Sequence, residues 1–107
     1  MFTFRPIVSF DEQLGLLRVT GDEDRATSGR RRRPLSAALH ATDDVTVDLS
    51  DLRFADPTLM LDLAVLAQRL RKRGSTLRLR GPQPQVRFLI EQMGLDRQPA
   101  VQLESNR

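Results

Sequence analysis

Hydrophobic and polar residues alternate in several short segments of this chain, and these segments predict β-strands. Residues 2–10 and 14–20 predict two strands joined by a polar turn at 11–13, which is typical of a hairpin. At 45–49, apolar residues alternate with Thr and Asp, as in a strand with one buried face. The polar, arginine-rich segment 21–34 predicts a loop.

Apolar residues at helical spacing predict three helices, and two further strands follow the long one. The long helix begins at Pro57 after the N-cap candidate Asp56 and ends at Gly74. Its apolar stripe is Leu59, Leu63, Leu66 and Leu70, with Met60 and Ala67 beside it. A short helix follows Pro34, and a third over 85–93 presents Val86, Leu89, Ile90 and Met93 to the core. The further strands are expected at 76–80 and 99–103.

The order of these elements and the placement of polar residues together predict the architecture. Arg18, Asp48 and Arg80 recur at alternate positions of their strands, next to apolar residues. If helices covered both faces of the sheet, some of these charged side chains would be buried without partners, which is costly. We therefore predict a two-layer α/β fold, a mixed four- to five-stranded sheet with its helices on one face. A chain of 107 residues supports one domain, and we assign it residues 1–107.

Composition excludes several kinds of chemistry. The chain has no Cys, and its one His, His40, has no accompanying nucleophile motif. No phosphate-binding glycine loop or calcium-loop pattern is present. We therefore expect no enzymatic activity, cofactor or metal. Apolar runs are too short to span a bilayer, and the N-terminus lacks a signal-peptide pattern, so we expect a cytoplasmic protein without membrane insertion.

Several segments, in their order and spacing, resemble the STAS domain, the fold of anti-sigma-factor antagonists. The matching segments are Leu17-Arg18-Val19-Thr20-Gly21 with Asp24, Val45-Thr46-Val47-Asp48-Leu49-Ser50, Phe54-Ala55-Asp56, Arg73-Gly74 and residues 77–81 and 86–95. The resemblance implies regulation of transcription by signalling through protein contacts. The implied partner is an anti-sigma factor, which in some systems is a serine kinase of the ATPase type.

The resemblance also points to the start of the long helix as a phospho-switch. In the family, the residue after the turn Asp is usually a phosphorylatable Ser, and here it is Pro57. Thr58 is the neighbouring hydroxyl and a candidate phosphoacceptor, but it lies roughly 100° further around the helix. We therefore predict an antagonist-like module without the standard Ser switch, which contacts its partner through Asp24, Asp56, Pro57, Thr58 and Asp62.

Other interpretations of the same sequence remain open. Asp56 and Thr58 can have a purely structural role, in which they cap the helix and contact no partner. Within the fold, the chain can be a docking subunit of a larger assembly, such as a lipid transporter, or a homodimer formed through the polar sheet face. In another class, Arg30, Arg31, Arg32 and Arg33 can bind anions or nucleic acid. The run lacks the interleaved aromatic residues of single-strand binders, which argues against nucleic acid.

Overall fold

The computed structural model describes residues 8–23, 32–41 and 43–104. In this part, the chain forms β1 (Val8–Asp11), β2 (Leu16–Val19), β3 (Gly21–Glu23), α1 (Arg32–Leu39), β4 (Val45–Asp48), β5 (Leu52–Ala55), α2 (Pro57–Lys72), β6 (Leu77–Arg80), α3 (Pro84–Gln92) and β7 (Val101–Glu104). A single 3₁₀ turn, Leu95–Arg97, lies between α3 and β7.

The main sheet has five strands in the order β1-β2-β4-β6-β7. Strands β1 and β2 pair antiparallel, and all other neighbours pair parallel. The predicted hairpin is confirmed for the residues described. The Asp11 carboxylate stabilises its turn by accepting hydrogen bonds from the backbone N–H groups of Gln13 and Leu14, at 3.0 and 3.1 Å.

The predicted loop over 21–34 is wrong at both of its ends. Gly21–Glu23 is a strand that pairs parallel with β5 in a separate two-stranded sheet. At the other end, Arg32 already begins α1, so Pro34 lies in the first turn. Proline is tolerated there because the first four N–H groups of a helix have no intrahelical acceptor.

All apolar faces meet on one side of the main sheet. Alternate residues of β2, β4 and β6 are fully buried against the helices, together with the predicted stripe of α2. The fully buried side chains at these places include Leu17, Val47, Leu79, Leu59, Leu63, Leu66 and Leu70. The opposite face carries Arg18, Asp48 and Arg80, with both arginine side chains about half exposed. This confirms the two-layer α/β fold with helices on one face, whereas the single domain over 1–107 stays a prediction.

The ends of the helices follow local chemistry. Gly74 adopts a φ of +76° immediately after the C-cap of α2, as the sequence predicts for a terminating glycine. Arg73 donates from Nη1 to the carbonyl oxygens of Leu39 and Ala41, at 2.8 and 2.6 Å, so the end of α2 caps the end of α1. The prediction that Met93 belongs to the core is wrong. Helix α3 ends at Gln92, and Met93 is 37% exposed.

Candidate functional site

Strand β5 leads directly into α2, and the residues between and after them begin the candidate site. Asp56 is the N-cap residue with extended backbone (φ −68°, ψ 138°), and its carbonyl accepts from the Leu59 N–H at 2.9 Å. Its carboxylate makes no capping bond to the backbone. Instead, the Thr58 hydroxyl donates to Asp56 Oδ2 at 2.5 Å. The prediction that Asp56 is the N-cap residue is thus confirmed, but its carboxylate accepts from the Thr58 hydroxyl and from no backbone N–H of the helix.

The residues predicted to contact a partner at this point share one end of α2. Pro57 and Thr58 are exposed, and Asp56 is half-buried. Asp62 is also half-buried and lies four residues after Thr58, on the same face of the helix. The structure therefore places four of the five predicted contact residues on neighbouring surface. The fifth, Asp24, lies outside the described residues.

An apolar groove opens beside Pro57, between β5, the first turn of α2 and α3. It has a volume of about 370 Å³ and is lined by Phe54, Ala55, Pro57, Gln85, Val86, Phe88 and Leu89. Its two aromatic side chains are largely accessible, with Phe54 54% exposed and Phe88 64% exposed. Large apolar side chains that are exposed next to each other mark sites of association more often than isolated ones do.

Two glutamine side chains join the start of α3 to β5 and so shape the groove. Gln85 donates from Nε2 to the Arg53 carbonyl at 2.9 Å and to Gln83 Oε1 at 3.1 Å. Gln83 in turn donates from Nε2 to the Ser50 carbonyl at 3.1 Å. These bonds satisfy backbone acceptors on the β5 side, and they hold the aromatic residues of α3 and β5 near each other.

The groove was missed in the sequence analysis, which treated α3 only through its core face. The available signal was Phe88, which lies between Val86 and Ile90 on the side away from the core. Phe54 gave a weaker signal because no strand was predicted at 52–55. The contact between α3 and β5 depends on the tertiary fold, and no local pattern encodes it.

Asp48 supports the same edge of the sheet, at the end of β4. Its carboxylate accepts from the Ser50 N–H and hydroxyl, at 3.0 and 2.7 Å, and lies 3.7 Å from Arg18 Nε. Burial by itself raises the pKa of Asp48, but the two Ser50 hydrogen bonds and the charges of Arg18 and Arg80 outweigh it. The pKa of Asp48 is therefore lowered from its ordinary 3.8.

The arginine run is divided by the boundary of the described residues. Arg30 and Arg31 lie outside them, whereas Arg32 and Arg33 are exposed in the first turn of α1. His40 follows α1, with Nδ1 2.8 Å from the Ser36 carbonyl oxygen, as expected of a residue at a helix end. No group of three or more metal-ligating side chains occurs in the described part of the chain. No helix there is long and apolar enough to cross a membrane.

Comparison with known proteins shows a family match that covers most of the chain. A family model described as "Mlab, STAS domain" matches residues 8–104. Among curated proteins, none matches the chain. The match covers every strand and helix from β1 to β7, including both sides of the groove.

Proposed function

The chain belongs to the STAS domain family, and from this premise we propose that it is a protein-docking module of the anti-sigma-factor-antagonist type. STAS domains are generally regulatory or binding modules without catalytic activity. We place the contact on a docking surface that consists of Phe54, Asp56, Pro57, Thr58 and Phe88, with Asp62 at its margin. The proposal includes a cytoplasmic location, no cofactor and no reaction of its own.

The observation that carries this proposal is the pair of exposed aromatic rings beside the start of α2. Phe54 and Phe88 line one apolar groove, and both keep more than half of their surface accessible. Aromatic residues that fill or line such grooves supply a large share of binding energy at protein interfaces. The carboxylates of Asp56 and Asp62 add negative charge at the margin, which supports specificity for a partner with basic residues.

We further propose that this contact needs no phosphorylation switch. Pro57 has no hydroxyl, and the Thr58 hydroxyl is held by the Asp56 carboxylate at 2.5 Å. A phosphoryl group on Thr58 would add nearly two negative charges beside that carboxylate, which is unfavourable. The proposed partner is therefore an anti-sigma factor that binds the unmodified surface.

A second candidate function is a docking subunit of a larger assembly. The apolar character of the groove favours it, because permanent interfaces are more hydrophobic than transient ones. In this alternative, the same docking surface is covered continuously by another subunit. The two candidates differ in the identity of the partner and agree on the residues that contact it.

Affinity capture from the native lysate, with and without nuclease, tests the proposal. Wild type is compared with Phe88→Asp and with Leu14→Asp, a matched control in which another exposed apolar residue, 71% exposed on the hairpin, receives the same charge. We expect an anti-sigma factor that wild type and Leu14→Asp retain and Phe88→Asp loses. Recovery of transport or other assembly subunits with the same dependence on Phe88 supports the second candidate. Capture that nuclease abolishes would overturn both.

A further inference from the structure

The outward face of α2 carries a second exposed apolar patch, outside the groove. Leu61 is 57% exposed and Val65 is 47% exposed, one turn apart on the helix. The same line along α2 continues through Gln68 and Lys72, both exposed, at the spacing of a helix–helix contact seam. We name Leu61, Val65, Gln68 and Lys72 the outer stripe.

Charge is distributed unevenly along α2. Asp56 and Asp62 lie at or near its beginning, whereas Arg69, Arg71 and Lys72 occupy its last turn. Four arginines elsewhere are paired within the chain: Arg18, Arg78, Arg80 and Arg87 each lie within 4 Å of a carboxylate. No such ion pair forms between Arg69, Arg71 or Lys72 and any other residue that the structure describes.

We propose that the outer stripe packs against the same stripe of a second copy of this chain, with the two α2 helices antiparallel. A two-fold contact places Val65 against Gln68 of the second copy and Leu61 against the aliphatic stem of Lys72. In that register, Asp62 faces Arg69 of the second copy, and symmetry repeats the pair. The opposed helix dipoles also attract. A parallel contact would instead bring the two basic ends together.

The open face of the main sheet is a poorer surface for a second copy. Its charges are already paired across neighbouring strands, Arg18 with Asp48 at 3.7 Å and Arg80 with Glu104 at 3.6 Å. Covering them would remove water from these groups and add no counter-charge. Self-association through α2 uses cations that have no carboxylate partner in the described chain, and it also covers exposed apolar carbon.

The contact is small, so the dimer is weak. Four side chains per copy bury much less than the roughly 800 Å² per partner of a standard interface. We expect a dissociation constant on the order of 100 µM, with monomer predominant at low micromolar concentration. The dimer contact shares Asp62 with the margin of the docking surface, but it needs no heterologous partner, so it can be tested on the purified chain alone.

Sedimentation equilibrium from about 5 µM to about 1 mM at low salt tests the proposal. We expect Asp62→Arg and Arg69→Asp each to weaken the dimer about tenfold, because each places like charges together twice. The combined Asp62→Arg/Arg69→Asp variant should return to within about threefold of wild type, because the pair is reversed and kept.

Two further variants make the test independent of these charges. Because Asp62 also makes a contact within its own chain, Val65→Asp provides a second disruption, and we expect it to leave only monomer. Leu14→Asp is the control and should dimerise as wild type does. A wild-type chain that stays monomeric to about 1 mM, or a combined variant as weak as the single ones, would overturn the proposal. Loss of the dimer in Leu14→Asp would also overturn it and assign the contact to the hairpin.

Discussion

Asp48 shows how a single residue carries charge in the sheet without a large energetic cost. Its side chain is only 17% exposed, yet it stays ionised because Ser50 and Arg18 satisfy it. Its lowered pKa means that folding favours the charged form. Ionised Asp48 therefore stabilises the fold at pH values above 3.8, its ordinary pKa, and this contribution is lost as the pH falls through the lower folded value.

We predict that Asp48→Asn lowers the free energy of unfolding by about 1 kcal/mol at neutral pH. The amide keeps an acceptor for Ser50 but loses the attraction to Arg18 and Arg80. Urea titrations from neutral pH downwards should show this difference shrinking below pH 3.8, since Asp48 becomes protonated first in the unfolded chain and, at lower pH, in the folded one. Glu91→Gln, which removes an exposed pair with Arg87, is the control and should change little. A difference that does not vary with pH would contradict this account.

The residues at the start of α2 show what a sequence reveals at this scale. The order Asp-Pro-Thr predicts where the helix begins, because each residue type suits its position. It does not reveal that the Asp56 carboxylate accepts from Thr58 and leaves the backbone uncapped. Both arrangements use the same residues at the same spacing, and the choice between them depends on the side-chain conformation.

Among the elements, those with strong periodicity were predicted well and those that depend on distant pairing were not. Helix α2 begins at the predicted Pro57 and ends at Lys72, two residues before the predicted Gly74, because its apolar stripe and its terminating glycine agree. Strand β3 was missed because it has only three residues, and β5 was missed because its buried residues, Leu52 and Ala55, lie at its two ends and do not alternate with exposed ones. They form because they pair with each other, and that pairing is not visible locally.

We predict contrasting effects for two leucines of α2. Leu63 is fully buried, and Leu63→Ala should lower the free energy of unfolding by 2 kcal/mol or more, about 2–5 kcal/mol, because it leaves a cavity in the core. Leu61 is 57% exposed, and Leu61→Ala should change it by less than about 0.5 kcal/mol. Both are measured by chemical denaturation at low micromolar protein. Equal losses in the two variants would contradict the packing described here.

At the scale of the whole molecule, the two sides of the fold differ in chemistry. The open sheet face has a row of alternating charge across β2, β4, β6 and β7. The row consists of Arg18, Asp48, Arg80 and Glu104, which lie in register. The helical side ends in the apolar groove between Phe54 and Phe88. The charges of the sheet face are paired with one another, whereas the groove exposes aromatic carbon to water. This asymmetry is the reason for placing the partner at the groove.

The general form of the molecule followed from its sequence, but the docking surface followed only in part. Alternating polar residues on the strands predicted helices on one face, since burial of Arg18 or Arg80 would be costly. Asp56, Pro57 and Thr58 were predicted from the start of the helix and the family resemblance. The aromatic half of the surface depends on where α3 meets β5, which Gln83 and Gln85 determine through contacts more than 30 residues apart.

The central claim is that the aromatic groove binds a protein partner without phosphorylation. Its most direct test is calorimetric titration of the purified partner against wild type, Phe54→Ala, Phe88→Ala and the control Leu14→Ala, each with and without ATP. We predict that both Phe variants bind at least about 30-fold more weakly, that Leu14→Ala binds as wild type does, and that ATP changes nothing. Phe variants that bind within about threefold of wild type, or wild-type binding that ATP abolishes, would contradict the account.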